Sequence, residues 1–164
     1  MKQDADTVIK FQKMNNNKFM KAALKEAQKA FDKNEVPVGC VIVKDNKIIA
    51  RAHNLRESKK SVLAHAELIA IEKANKKLNS WILDECTIYV TLEPCPMCAG
   101  AILQSRCTNL VFGAFEPKFG ACGSIVNLLQ DTNFNHQVKI TSGVLQEECS
   151  NILKKFFQIL RQKR

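Results

Sequence analysis

From about residue 80 onward, β-prone runs alternate with stretches of helical spacing, and that alternation limits the folds open to the chain. A strand, a crossover helix and a second strand give parallel neighbours, whose sheet must be covered by helices. The strand runs are 86–91, 109–113 and 137–141. Between and after them come a small-residue helix over 97–104, a short helix over 124–130 and an amphipathic helix over 146–160. Upstream, Phe19, Ala23, Ala27, Ala30 and Phe31 recur at helical spacing and predict a helix over 18–33, stopped near Asn34 and Pro37. Residues 38–44 and 47–53 form a hairpin joined at Asp45-Asn46, a dipeptide that accepts the left-handed turn conformation. Leu68, Ile69, Ile71 and Ala74 mark a helix over 64–77. The expected class is α/β, with a mixed sheet covered by helices.

With 164 residues, 46% hydrophobic and 25% charged, the chain has the size and balance of one soluble globular domain, and it carries no internal repeat. Residues 18–164 are taken as that domain and residues 1–17 as an extension of unknown role. Asp4 and Asp6 among the first lysines, without a long apolar run, fit neither a signal nor a transit peptide, so a cytoplasmic protein is expected. No stretch approaches the roughly 20 apolar residues of a membrane span, so no membrane partner is expected.

Seven cysteines are present, and Cys40, Cys86, Cys107, Cys122 and Cys149 show no disulfide spacing. The close pair Cys95 and Cys98 asks for metal binding or redox chemistry. The formal charge of +9 attracts polyanions. It gathers on Lys18, Lys21, Lys25 and Lys29 and on Lys154, Lys155, Arg161, Lys163 and Arg164, which serve as phosphate contacts or as solvated helix faces.

His65-Ala66-Glu67 opens one helix, and Pro94-Cys95-Pro96-Met97-Cys98 opens another. His65, Cys95 and Cys98 supply one nitrogen and two sulfurs, and three protein ligands leave a fourth position for water, as catalytic zinc requires. Thiolate softness and tetrahedral preference make zinc the default ion. Glu67 is close to the ligands without being one, and it can take a proton from water and hand it to a leaving amine. A structural zinc clip or a redox pair would share Cys-x-x-Cys, but neither needs the histidine and the glutamate.

The motif resembles the zinc nucleobase deaminase signature. The chain from about 19 to 161 resembles the bacterial tRNA adenosine deaminase family, TadA type, of the cytidine-deaminase-like superfamily. Carrying that resemblance are Glu35-Val36-Pro37-Val38-Gly39, Asn54, Thr91-Leu92-Glu93-Pro94-Cys95, Lys118 through Ser124, Asn135-His136 and Phe156-Phe157. It implies a three-layer α/β/α fold with a mixed five-stranded sheet and one zinc ion per subunit. It also implies a homodimer that deaminates adenosine to inosine at the wobble position of a tRNA anticodon stem-loop. Asn54, Glu116, Lys118, Asn135, His136, Phe156 and Arg161 are the implied substrate contacts. Glu116 departs from the family's usual aspartate by one methylene.

On pattern alone these residues have plainer readings. Phe156 and Phe157 read as core-facing helix residues, Asn54 as a turn residue, His136 as a surface histidine and Glu116 as a solvated acid. The rival functions are deamination of a free base or nucleoside, such as guanine or cytosine, and a non-catalytic RNA-binding module with structural zinc. The intact Glu67 argues against the second.

Overall fold

The structure is a computed structural model and describes residues 4–164. Its first element, helix α1, runs Ala5–Asp32 and begins well before the expected residue 18. Asp4 caps it by accepting from the Thr7 backbone N–H, Asp6 lies in the first turn, and neither Gly nor Pro interrupts the run. Val8, Ile9, Phe11 and Met14 on this added part are exposed, so core periodicity carried no signal there. Residues 5–17 are therefore helical, and residues 1–3 of the expected extension lie outside the described residues. At the far end Asn34 takes a left-handed φ of 60°, which ends the helix before Pro37.

Strands β1 (Gly39–Lys44) and β2 (Lys47–His53) pair antiparallel as expected. Asp45 and Asn46 both have positive φ, 51° and 59°, the signature of a primed hairpin turn. A four-residue helix α2 (Arg56–Lys59), which the sequence did not suggest, follows, and then α3 (Ala66–Leu78). The remaining elements are β3 (Cys86–Leu92), α4 (Pro96–Gln104), β4 (Asn109–Ala114), β5 (Lys139–Thr141) and α5 (Gln146–Gln162).

The sheet order is β2-β1-β3-β4-β5. β1 pairs antiparallel with β2 and β3, while β3–β4 and β4–β5 are parallel, so the sheet is mixed and five-stranded. Alternation along the strands divides the core in two. Cys40, Ile42, Ile88, Val90, Leu110 and Phe112 face α3 and α4 through Ala66, Ala70, Ala74, Ala99 and Ile102. Val41, Val43, Tyr89 and Val111 face α1 and α5 through Phe19, Met20, Ala23 and Cys149. The result is a three-layer α/β/α domain. Full burial of a side chain such as Phe112 stabilises it by about 1.5–3 kcal/mol.

α1 lies so close to the start of β1 that a Cβ on Gly39 would collide with the Ala23 carbonyl oxygen. Only glycine permits that approach. The expected helix over 124–130 is absent; the segment forms turns and one bridge, Cys122 to Asn127. Its backbone is recruited elsewhere: the Cys122 and Ser124 N–H groups donate to Glu93, and Ile125 N–H donates to the Gly120 carbonyl.

Candidate active site

The two motifs meet because α3 and α4 follow the C-terminal ends of β2 and β3, which lie at the same end of the sheet. His65 is the N-cap of α3 and Cys95 the N-cap of α4, with Pro96 in the first turn, and neither cap side chain bonds its own helix. Both are left free to face each other. His65 Nδ1 is 3.5 Å from Cys98 Sγ and 3.7 Å from Cys95 Sγ. The three donor atoms lie within 4.8 Å of one another, the one such group among the described residues. One imidazole nitrogen and two sulfurs at this spacing fit a tetrahedral cation with one position left over.

The electrostatics suit that purpose. With the Cys98 thiol beside it and His65 on its other side, the pKa of the Cys95 thiol falls to about 4. The Cys98 thiol is pushed up by its Cys95 neighbour and by burial, and the Cys95 contact raises the His65 imidazole. A cation on these atoms would take the place of the shared protons. Glu67, in the first turn of α3, is 4% exposed, and burial raises its carboxyl above the ordinary glutamate range against opposing contacts from Cys98 and His65.

Glu67, His65 and Cys95 open onto a cleft of about 530 Å³. Asn54 and Glu116, two of the expected contacts, line it. Asn54 Nδ2 donates to the Val36 carbonyl, 3.2 Å, and Oδ1 accepts from Arg56 N–H, 3.1 Å, which leaves one amide proton and one lone pair for another molecule. Glu116 Oε1 accepts from the Lys118 N–H at 2.9 Å.

The other expected contacts are outside the cleft wall. Lys118 and Arg161 are exposed. Asn135 Oδ1 accepts from Arg106, and His136 Nε2 is 2.9 Å from the Cys107 carbonyl, both near the end of α4. Phe156 is buried, with its ring 5.9 Å from Phe31 and 5.4 Å from Phe157, so it packs α5 on α1 as its helical spacing suggested. The cleft also contains residues that sequence reasoning passed over. Arg56, on the unexpected α2, and Phe119, 68% exposed, both line it. A lone arginine after Asn54-Leu55 and a lone aromatic beside Gly120 carry no periodicity, and the place of Phe119 in the run from Lys118 to Ser124 was the one available signal.

Comparison with known proteins agrees with this geometry. A family profile of MafB19-like deaminases matches residues 14–161. The tRNA-specific adenosine deaminase of Bacillus subtilis is 56% identical over 146 residues, 89% of this chain and 91% of the relative. That of Aquifex aeolicus is 46% identical over 148 residues, 90% and 97% of the two chains. A solved structure from work on A-to-I editing by tRNA:A34 deaminases superposes with a TM-score of 0.79 at 41% identity, covering 82% of this chain and 98% of the other. A guanine deaminase from Nitrosomonas europaea shares the fold, with a TM-score of 0.72 at 22% identity over 84% and 81% of the chains. With a cleft built around His65, Glu67, Cys95 and Cys98 on a three-layer cytidine-deaminase-like sheet, the chain belongs to the tRNA-specific adenosine deaminase family.

Proposed function

We propose that the chain hydrolyses adenosine to inosine at the wobble position of tRNA anticodons, releasing ammonia, with one zinc ion held by His65, Cys95 and Cys98. The observation that carries this reading is the buried Glu67 carboxyl beside the three donor atoms, in a cleft open to a base. When bound, zinc supplies Lewis-acid activation of water at neutral pH. Glu67 receives the proton that water gives up, and its raised pKa lets it hold that proton and return it to the departing amine.

Asn54 uses its remaining amide proton and lone pair to orient the splayed nucleoside, with Glu116 on another part of the wall. Arg56, Lys118, Asn135, His136 and Arg161 face the loop nucleotides and phosphates, and +9 of net charge favours that contact. Phe156 acts by packing the helix that carries Arg161. A second copy of the chain completes a homodimer, supported by the exposed Trp81 beside a groove that includes Met97 and Pro96. Residues 18–164 form the catalytic domain, and the enzyme works in the cytoplasm, where its seven cysteines stay reduced.

The test offers the zinc-loaded protein an anticodon stem-loop with adenosine at the wobble position, beside free adenosine, guanine and cytosine. Inosine in the stem-loop alone is expected. Turnover of a free base alone would move the enzyme to nucleobase salvage.

A further inference from the structure

Two carboxylates that the chemistry does not use are buried at the cleft, Glu93 in its lining and Glu35 behind it. Glu35 is fully buried and Glu93 is 2% exposed. Burying a carboxylate is costly unless its oxygens are bonded, so their partners show what the cost secures. Glu35 Oε1 accepts from the Glu57 backbone N–H at 2.8 Å and Oε2 from that of Ser58 at 3.0 Å. The same two strips of chain are joined again where Asn54 N–H donates to the Val38 carbonyl and Asn54 Nδ2 to that of Val36. Residues 35–38 and 54–58 thereby become one rigid wall, carrying Asn54 and Arg56 toward the cleft.

Glu93 does the same for a second wall. It accepts from the backbone N–H groups of Glu116, Cys122 and Ser124, each at 3.1 Å, and from the Ser124 hydroxyl. The loop wraps the carboxylate so closely that a Cβ on Gly120 would collide with a Glu93 oxygen. This wall carries Glu116 and Phe119. The Glu57 and Ser58 N–H groups lie in the first turn of α2, where the helix leaves them without partners, and the 116–124 loop has no regular ladder, so each carboxylate supplies acceptors that the backbone does not.

We infer that Glu35 and Glu93 are positioning residues that fix the two substrate-binding walls of the cleft, Glu35 through Asn54 and Arg56 and Glu93 through Glu116 and Phe119. The inference rests on the proposed substrate, the wobble adenosine of a stem-loop. A glutamine at either position keeps the shape but turns an amide toward a backbone N–H, so one wall loses a charged acceptor while the metal ligands keep theirs.

The test measures KM and kcat on the stem-loop for wild type, Glu35→Gln and Glu93→Gln, together with zinc content and the absorption spectrum of the cobalt-substituted protein. Each variant is expected to raise KM about tenfold while kcat stays within about threefold. Zinc content and the cobalt spectrum of Glu35→Gln should match wild type. An unchanged KM in Glu35→Gln, or a fall in kcat and zinc content without a KM change, would overturn the inference. Glu35→Gln, remote in sequence from the ligands, decides the matter even if Glu93→Gln folds poorly. Failure of the substrate reading shows separately, as absence of stem-loop turnover by wild type; the KM ratio is then read on whichever free base wild type accepts.

Discussion

His65 Nδ1 and Cys98 Sγ are 3.5 Å apart although 33 residues separate them. What joins them is strand β3 and the common end of the sheet at which α3 and α4 begin. The candidate ligand set is thus a product of tertiary structure, and a metal bound there would tie the two helices together. Cys95→Ala removes one donor of three, so zinc per chain should fall below about a tenth of wild type, with a loss of thermal stability. Metal analysis and a melting curve check this, and full zinc occupancy would remove Cys95 from the ligand set.

Glu67→Gln keeps the volume of the side chain and abolishes its proton chemistry. Turnover should drop about a thousandfold. Zinc content and RNA affinity should stay at wild-type levels, which separates a lost proton carrier from a lost site. Single-turnover inosine formation is the measurement, and retained turnover would end the assignment of Glu67 as the catalytic acid and base.

The elements with strong periodicity were legible in the sequence, because the residues that make them helical or extended are the ones the core buries. Ala23, Ala27 and Ala30 are fully buried. The hairpin was legible from Asp45-Asn46, whose backbone needs match their chemistry. The early part of α1 was hidden because Val8, Phe11 and Met14 face outward, and helix propensity with an Asp4 cap decided the matter instead. The segment 124–130 misled because its donors answer to Glu93, a partner 31 residues away from Ser124. At the candidate site, the spacing of His65, Glu67, Cys95 and Cys98 was enough to expect that they would meet, and the structure brings them together. Arg56 and Phe119 were not legible, because their place in the cleft depends on loops whose course is set by buried Glu35 and Glu93.

Glu26 on α1 accepts from Lys29 Nζ at 2.8 Å and lies 3.0 Å from His53 Nδ1, next to Asn54 in the chain. Burial alone would raise its carboxyl, but the Lys29 and His53 contacts prevail and hold it below the usual value of 4.5. A carboxyl whose folded pKa is depressed stabilises the fold fully above its unfolded pKa, and that contribution is lost as pH falls through the folded value. Glu26→Gln should therefore lower the urea midpoint at pH 7, with the gap to wild type closing as pH drops below about 4.5. A gap that stays constant from neutral to acid pH would show that the charge of Glu26 contributes nothing.

Helix α5 ends in an exposed, basic last turn, and Phe156 against Phe31 fixes its direction across α1. Lys154 and Arg161 point to solvent, and neither has a carboxylate partner among the described residues. Unpaired cations suit the binding of phosphates, which releases counterions and makes affinity fall with salt. Replacing both by alanine should weaken binding of the stem-loop and reduce the slope of log affinity against log salt by about 0.7–0.9 for each phosphate that is no longer neutralised. Neither residue touches the cleft, so kcat at saturating RNA should hold. Fluorescence anisotropy at several salt concentrations reads the slope. An unchanged slope would return these cations to the role of a solvated helix face, and the RNA path would then have to run along the lysines of α1.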